Sequence, residues 1–367
     1  MLRVSVIGAG IAGLSIAAEL KQASVTIFET EFQPGFHSSG RSAAVFIKPF
    51  VNSVVSQLTI DSEDFFRKPP IGYQKLAENL PNILVGRKGE EHLIEAFLRQ
   101  WGQTCPWLEI VDRAAICKWV PQIGPVVCGV IDKDSLSLNV HELLDGHRRR
   151  IIANGGRILC SSQVTGIEFY KGSWRIDLSE GEKIEADVVV NAAGAWADEV
   201  AVLAGVPRLE LQPKRRTGII VDPQCGVSNW PMIHFASGDL YFKPEGSYLM
   251  LSPADETPSS PTDAQPYEID VATAIDRFNS RMSINIQRPE RAWAGLRSFV
   301  SDKTPVVGFD PSVDGFFWAA AFGGCGVQTS PAYSRIAANM IMNKDNDSRN
   351  NPLGVSKTRE HWMDLKT

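Results

Sequence analysis

The most constraining feature of this chain is a glycine pattern near its amino terminus. Gly8-Ala-Gly10-Ile-Ala-Gly13 is a GxGxxG motif that directly follows the apolar run Val4 to Ile7. Such a run predicts a buried parallel strand, Ile11 to Leu20 a helix, and Val25 to Phe28 a second strand. In that setting each glycine has its own task. Gly8 permits the tight turn, Gly10 lets the backbone approach a pyrophosphate, and Gly13 lets the helix pack close to the sheet. Ile11 and Ala12 open the helix, whose free N–H groups and dipole favour phosphate. Glu29 ends the second strand about 20 residues on, where an acid can bond a ribose hydroxyl. The combination predicts dinucleotide binding and disfavours a 2′-phosphate.

Composition narrows the class. At 367 residues the chain fits two domains. Hydrophobic residues at 44% and charged residues at 22% suit a globular enzyme. A net charge of -5 gives no reason to expect nucleic acid or an anionic membrane surface. The basic cluster Arg148–Arg150 reads as a solvated helix face. The six cysteines are scattered without CxxC or zinc spacing, so neither a metal site nor a disulfide framework is expected, which fits a reducing, cytoplasmic setting. The uncharged stretch Val4 to Ala18 is too short for a transmembrane segment.

Strands feeding helices through small-residue turns recur along the chain. A helix is expected over Asn139–Asn154, followed by strands at Arg157–Leu159 and Val164–Phe169. Asp187-Val-Val-Val-Asn-Ala-Ala-Gly-Ala-Trp196 is a second strand and turn. Phe316–Ala320 is a third strand, and Gly323-Gly-Cys-Gly326 leads into a helix near Ser330. Between them lie strand-like alternations at Gly218–Val221, Tyr241–Lys243, Tyr248–Leu251 and Ile284–Ile286, with Asp255 to Tyr267 as a loop. The expected fold is α/β (α+β overall). A Rossmann-like nucleotide-binding domain of residues 1–45, 140–206 and 300–345 is interleaved with an antiparallel-sheet substrate-binding domain of residues 46–139 and 207–299. A polar, irregular tail covers 346–367.

Three segments carry a resemblance: Gly35-Phe-His-Ser-Ser-Gly-Arg-Ser-Ala-Ala44, Asn191-Ala-Ala-Gly-Ala-Trp196 and Gly323-Gly-Cys-Gly-Val-Gln-Thr-Ser330. Together they resemble the superfamily of D-amino-acid oxidase, glycine oxidase and sarcosine oxidase. His37–Ala44, Leu211-Gln-Pro-Lys-Arg-Arg216 and Trp293-Ala-Gly-Leu-Arg-Ser-Phe-Val300 are more specifically similar to the bacterial FAD-dependent D-arginine dehydrogenases. The resemblance implies FAD as cofactor, held by the glycine turn and Glu29. It adds Ser39, Gly40, Arg41, Ser42, Ala43 and Ala44 along the flavin segment, and Val164 beside the adenine. Ala192, Gly194 and Trp196 come from the second turn, and Gly323, Gly326, Val327, Gln328 and Thr329 from the third. Cys325 does not align with the cysteine that attaches flavin in some sarcosine oxidases, so the FAD is expected to be non-covalent.

The resemblance also implies oxidative deamination of an amino acid, with Arg297 as carboxylate anchor and Tyr241 assisting it. Arg215 or Arg216 is a candidate second contact, and Gly324 offers a carbonyl to the substrate amine. A guanidinium suits the anchor because it grips a carboxylate at two points. Where the arginine-specific enzymes carry a histidine, a tyrosine and a glutamate in the substrate pocket, this chain has Val45, Phe50 and Asn82. Such a pocket should not select a cation. The electron acceptor, quinone or oxygen, is not specified; Met250 near the place of an oxygen-activating lysine favours a dehydrogenase. A sarcosine-type oxidase, a non-catalytic FAD-binding protein and an NAD-linked dehydrogenase are the rival readings.

Overall fold

The computed structural model describes residues 1–343 and 351–355. The apolar runs at the start become the strand Leu2–Ile7, the helix Ile11–Glu19 and the strand Ala23–Phe28. The two strands pair in parallel, Val4 opposite Val25 and Ile7 opposite Phe28. They form the centre of a six-stranded sheet, which continues through Arg157–Leu159 on one side and Val188–Asn191 and Phe316–Ala320 on the other. Val306–Phe309 closes that second edge, antiparallel. One face is covered by the first helix and by Val140–Ala153 and Ser330–Asn343, with Leu14, Ile16, Tyr333 and Ile341 fully buried. The other face packs against a three-stranded antiparallel sheet spanning Val164 to Ala186. Asn139 caps its helix by accepting from the Glu142 N–H.

A second, nine-stranded sheet draws on residues 82–132 and 212–299. Its order runs Arg291–Phe299, Gln212–Val221, Tyr248–Ser252, Tyr241–Glu245, Met232–Phe235, Asn82–Arg87, Val126–Asp132, Glu109–Asp112. The short strand Thr257–Pro258 pairs with Lys214 and Arg215. The two large sheets thus draw on alternating stretches of chain.

Two expectations fail locally. Ile284–Ile286 is not a strand, and the stretch before it holds the helix Glu268–Asn279. Ala274 and Phe278 bury one helical face against the second sheet. Asn279 at its end exchanges two hydrogen bonds with the Ile286 backbone, both 2.8 Å, so Ile286 is tied to the helix rather than to a ladder. The tail is also more structured than its polarity suggests. Leu353 is buried, and its carbonyl accepts from Val307 N–H at the edge of the first sheet. The remainder of that tail, 346–350 and 356–367, lies outside the described residues.

Candidate active site

The glycine turn is built as its spacing requires. Gly8 has φ +103°, and a Cβ there would stand 2.6 Å from the Ala192 carbonyl oxygen; one on Gly13 would stand 2.0 Å from that of Gly8. Strand, helix and the Asn191–Trp196 turn therefore meet too closely for any side chain. Gly10, in contrast, meets only Ser39 Oγ, at 3.4 Å. Gly10 itself carries no capping side chain, and the Ala12 and Gly13 N–H groups have no acceptor among the described residues. Ile11 N–H bonds Ser39 Oγ, which fixes the flavin segment onto the helix start.

Two cavities meet at this turn and share Gly10, Ser38, Ser39, Ala192, Gly194 and Ala195. One, of about 1250 Å³, is lined by Glu29, Val164 and Trp196. Glu29 accepts from Ala9 and Glu31 N–H, which orients its carboxylate at the rim. The other, of about 950 Å³, is lined by Ser42, Ala43, Tyr241, Arg297, Gly323, Gly324, Gly326 and Val327. Gly323 N–H is used by Ser298 and Cys325 N–H by Phe322, which leaves the Gly324 and Gly326 N–H groups without acceptors among the described residues. A long ligand with an anionic middle fits this pair of cavities: ribose at Glu29, phosphate at the helix start, ring system beside Gly323–Val327.

Strand alternation sorts the substrate-side residues. Arg216 and Gly218 lie opposite Gly295 and Trp293, and Tyr241 shares their sheet face with Met250. All six line the 950 Å³ cavity. Tyr241 Oη is buried without a partner. Among the described residues Arg297 has no hydrogen bond or ion pair, an arrangement that awaits an anion. Burial lowers the Arg297 pKa from its usual value. For Tyr241, burial raises the pKa, but Arg297 and Arg216 lower it further and the net shift is downward. Arg216 is tethered from Nε to the Asp255 carbonyl, 2.8 Å, and from Nη2 to Glu256, 3.2 Å.

Several expected site residues stand elsewhere. Arg215 points to the opposite face, where its guanidinium lies 3.2 Å from the Tyr267 ring centre and pairs with Asp270. Arg41 lines the cavity with its stem, but its guanidinium holds Asp263 and the Ala264 and Ala294 carbonyls. Gln328 turns its amide to Ile47 and Thr59, and the Thr329 hydroxyl bonds Cys325 O. Val45 packs behind Tyr241 and Met250, not on the cavity wall. Phe50 and Asn82 are also off the wall; Asn82 is buried, its Oδ1 2.8 Å from His234 Nδ1. The apolar wall is instead Met250, Trp293, Ala43 and Gly218.

His234 escaped the sequence reading. It sits directly across from Tyr241 in the ladder, with ring centres 5.2 Å apart. Burial first, then Arg216 and Arg297, hold its pKa down to about 4. No motif surrounds it; only the pairing of the two strands brings it there.

The FAD dependent oxidoreductase family model matches residues 3–340. The chain belongs to that family. FAD is accordingly its cofactor, and the residues lining the two joined cavities would hold it. The glycine oxidase of Pseudomonas aeruginosa is 25% identical over 94% of this chain and 95% of its own length. FAD-dependent oxidoreductase domain-containing protein 1 of Bos taurus is 24% identical over 92% of this chain and 81% of its own. Among solved structures, glycine oxidase from Geobacillus kaustophilus superposes with a TM-score of 0.84 at 18% identity, covering 97% of this chain and 99% of that one. L-proline dehydrogenase from P. horikoshii gives 0.83 at 18%, covering 100% and 98%. The chain is therefore an FAD-dependent oxidoreductase. No helix among the described residues is long and apolar enough to cross a membrane.

Proposed function

We propose that the chain oxidatively deaminates an amino acid of D configuration with a neutral, apolar side chain. Bound FAD supplies the hydride acceptor at flavin N5, and the imino acid formed hydrolyses to a 2-keto acid. The observation that carries this reading is the unpaired guanidinium of Arg297 facing the same cavity as the unpartnered Tyr241 hydroxyl. Arg297 grips the α-carboxylate, Tyr241 donates a hydrogen bond to it, and Arg216 is a second cation beside it. The Gly324 carbonyl is the acceptor for the substrate amine, fixing Cα toward the flavin.

The side-chain preference rests on Met250 and Trp293, which line the cavity where Val45, Phe50 and Asn82 do not. An apolar wall gains about 25 cal/mol per Å² from an apolar substituent, whereas a cation buried there without a carboxylate is strongly disfavoured. The test is anaerobic flavin bleaching with D-methionine, D-phenylalanine, D-arginine and their L-forms. D-methionine or D-phenylalanine should give the highest kcat/KM. A best rate with D-arginine overturns the side-chain assignment, and a best rate with an L-form overturns the chirality. Glycine oxidase and sarcosine dehydrogenase among the relatives support a second reading, a small secondary or unsubstituted amino acid as substrate. Glycine and sarcosine belong in the same panel, with peroxide release marking an oxidase.

A further inference from the structure

Behind the wall formed by Met250 and Trp293 lies a second cavity, of about 1380 Å³, between the large antiparallel sheet and the loop of residues 33–44. It shares Arg41, Ser42, Ala43, Met250 and Trp293 with the substrate-side cavity, so it opens onto the same flavin segment from another side. Its charged lining is Arg41, Lys243, Arg291 and Glu245. Arg41 is neutralised by Asp263. Arg291 makes no ion pair among the described residues and lies over the Trp293 ring, 5.9 Å from its centre.

Lys243 is the informative residue. It is only 3% exposed, yet it lines this cavity together with Glu245. It follows Tyr241 by two positions and pairs with Met250, so strand alternation turns it to the face that bears the active site. Among the described residues its carboxylate partner is Glu245, two residues along the same strand, with its side chain 55% exposed. An exposed carboxylate swings into water readily, and an entering anion can take its place on Lys243. Ile220, Met250 and Trp293 supply flat apolar surface around that charge.

We propose that this cavity binds a small planar organic anion of the quinone or quinone-imine class, and that this ligand is the electron acceptor. The acceptor role rests on the proposed function. Bound FAD in its reduced form would be the source of two electrons and two protons, which the acceptor would take up before leaving as its dihydro form, with the cofactor restored to its oxidised state. A separate acceptor cavity lets this occur while product still occupies the Arg297 side.

The probe is 2,6-dichlorophenolindophenol, a planar anion, titrated calorimetrically into the oxidised FAD-loaded protein. Lys243→Gln should weaken binding at least tenfold, and Glu245→Gln, at an exposed position, should tighten it several-fold. Reoxidation of photoreduced enzyme by the same dye should follow the same order, while uncharged 1,4-benzoquinone changes less than twofold in either variant. Photoreduction needs no amino acid, so failure to find a substrate leaves these outcomes readable. Unchanged affinity in Glu245→Gln together with unchanged or unfolded Lys243→Gln overturns the site. Altered affinity without altered dye reoxidation overturns the acceptor role.

Discussion

Arg297 lies directly over Gly324, so closely that a Cβ on the glycine would stand 2.9 Å from Nη1 and 3.0 Å from Cζ. The bare backbone at 324 is therefore part of what sets the guanidinium in place. Gly324→Ala needs no unusual backbone angle, and its methyl must displace the anchor. The guanidinium, at the end of a flexible side chain, shifts at little cost to the fold, and weakening a charge-assisted contact worth about 2–5 kcal/mol should lower kcat/KM about 10- to 100-fold. FAD content, read from the 450 nm absorbance, should not change.

Removing the anchor itself is a larger change. Arg297→Ala deletes a charge-assisted contact from a closed site, worth about 2–5 kcal/mol. kcat/KM should fall by roughly that amount with the fold and FAD intact. Arg297→Lys keeps the charge but loses the two-point grip, and should recover only part of the loss.

Arg215 and Arg216 should part company in their effects. Arg216→Ala should raise KM for the amino acid and leave the melting temperature nearly unchanged. Arg215→Ala removes a buried guanidinium from the exposed Tyr267 ring and the partly buried Asp270, a loss of about 1 kcal/mol or more, and should lower the melting temperature with little effect on KM. A KM effect at 215 without one at 216 contradicts the facing of this strand.

Cys325 should stay chemically silent. Its thiol is buried, within 2.9 Å of the Phe322 carbonyl, and burial pushes its pKa up to about 12. The thiolate needed for attachment is not available at neutral pH. Acid or urea denaturation should release all FAD into the supernatant, from the wild type and from Cys325→Ala alike. Flavin retained on the wild-type chain alone contradicts this.

Stability should fall on acidification for a reason outside the site. His147 is fully buried against the Tyr73 hydroxyl, and burial, then Arg150, lower its pKa from 6.5 to about 3. A depressed folded-state pKa means the unfolded chain takes the proton first. The contribution is complete above pH 6.5 and is lost progressively between 6.5 and 3. The slope is about 1.4 kcal/mol per pH unit over that window. Urea unfolding at pH 7, 6 and 5 measures it, and a flatter profile in His147→Gln identifies the source.

The nucleotide-binding half was legible because its requirements are local. Gly13 is dictated by its contact with Gly8 inside one strand–turn–helix unit, Gly8 by its own φ of +103° at the turn, and Glu29 follows at the end of the next strand, so spacing displays them even though Gly8 also abuts the distant Ala192 carbonyl. Gly323 is similar: its φ of +50° and the Phe299 ring leave no room for a side chain. The motif around Arg297 likewise singled out this residue, which lines the 950 Å³ cavity.

What the sequence left open was decided by pairing between distant strands. Arg215 and Arg216 are chemically equal neighbours, and only the register of Gln212–Val221 against Arg291–Phe299 turns one to the cavity and the other to Tyr267. Register also places His234 opposite Tyr241 and Lys243 opposite Met250, and it sets Asn82 two strands away from Tyr241. Ile284–Ile286 reads as a strand by pattern, but Asn279 captures its backbone first. Local chemistry fixes the conformation of a short segment. Which side chains share a cavity depends on which ladder closes beside it, and that information is spread over two hundred residues of chain.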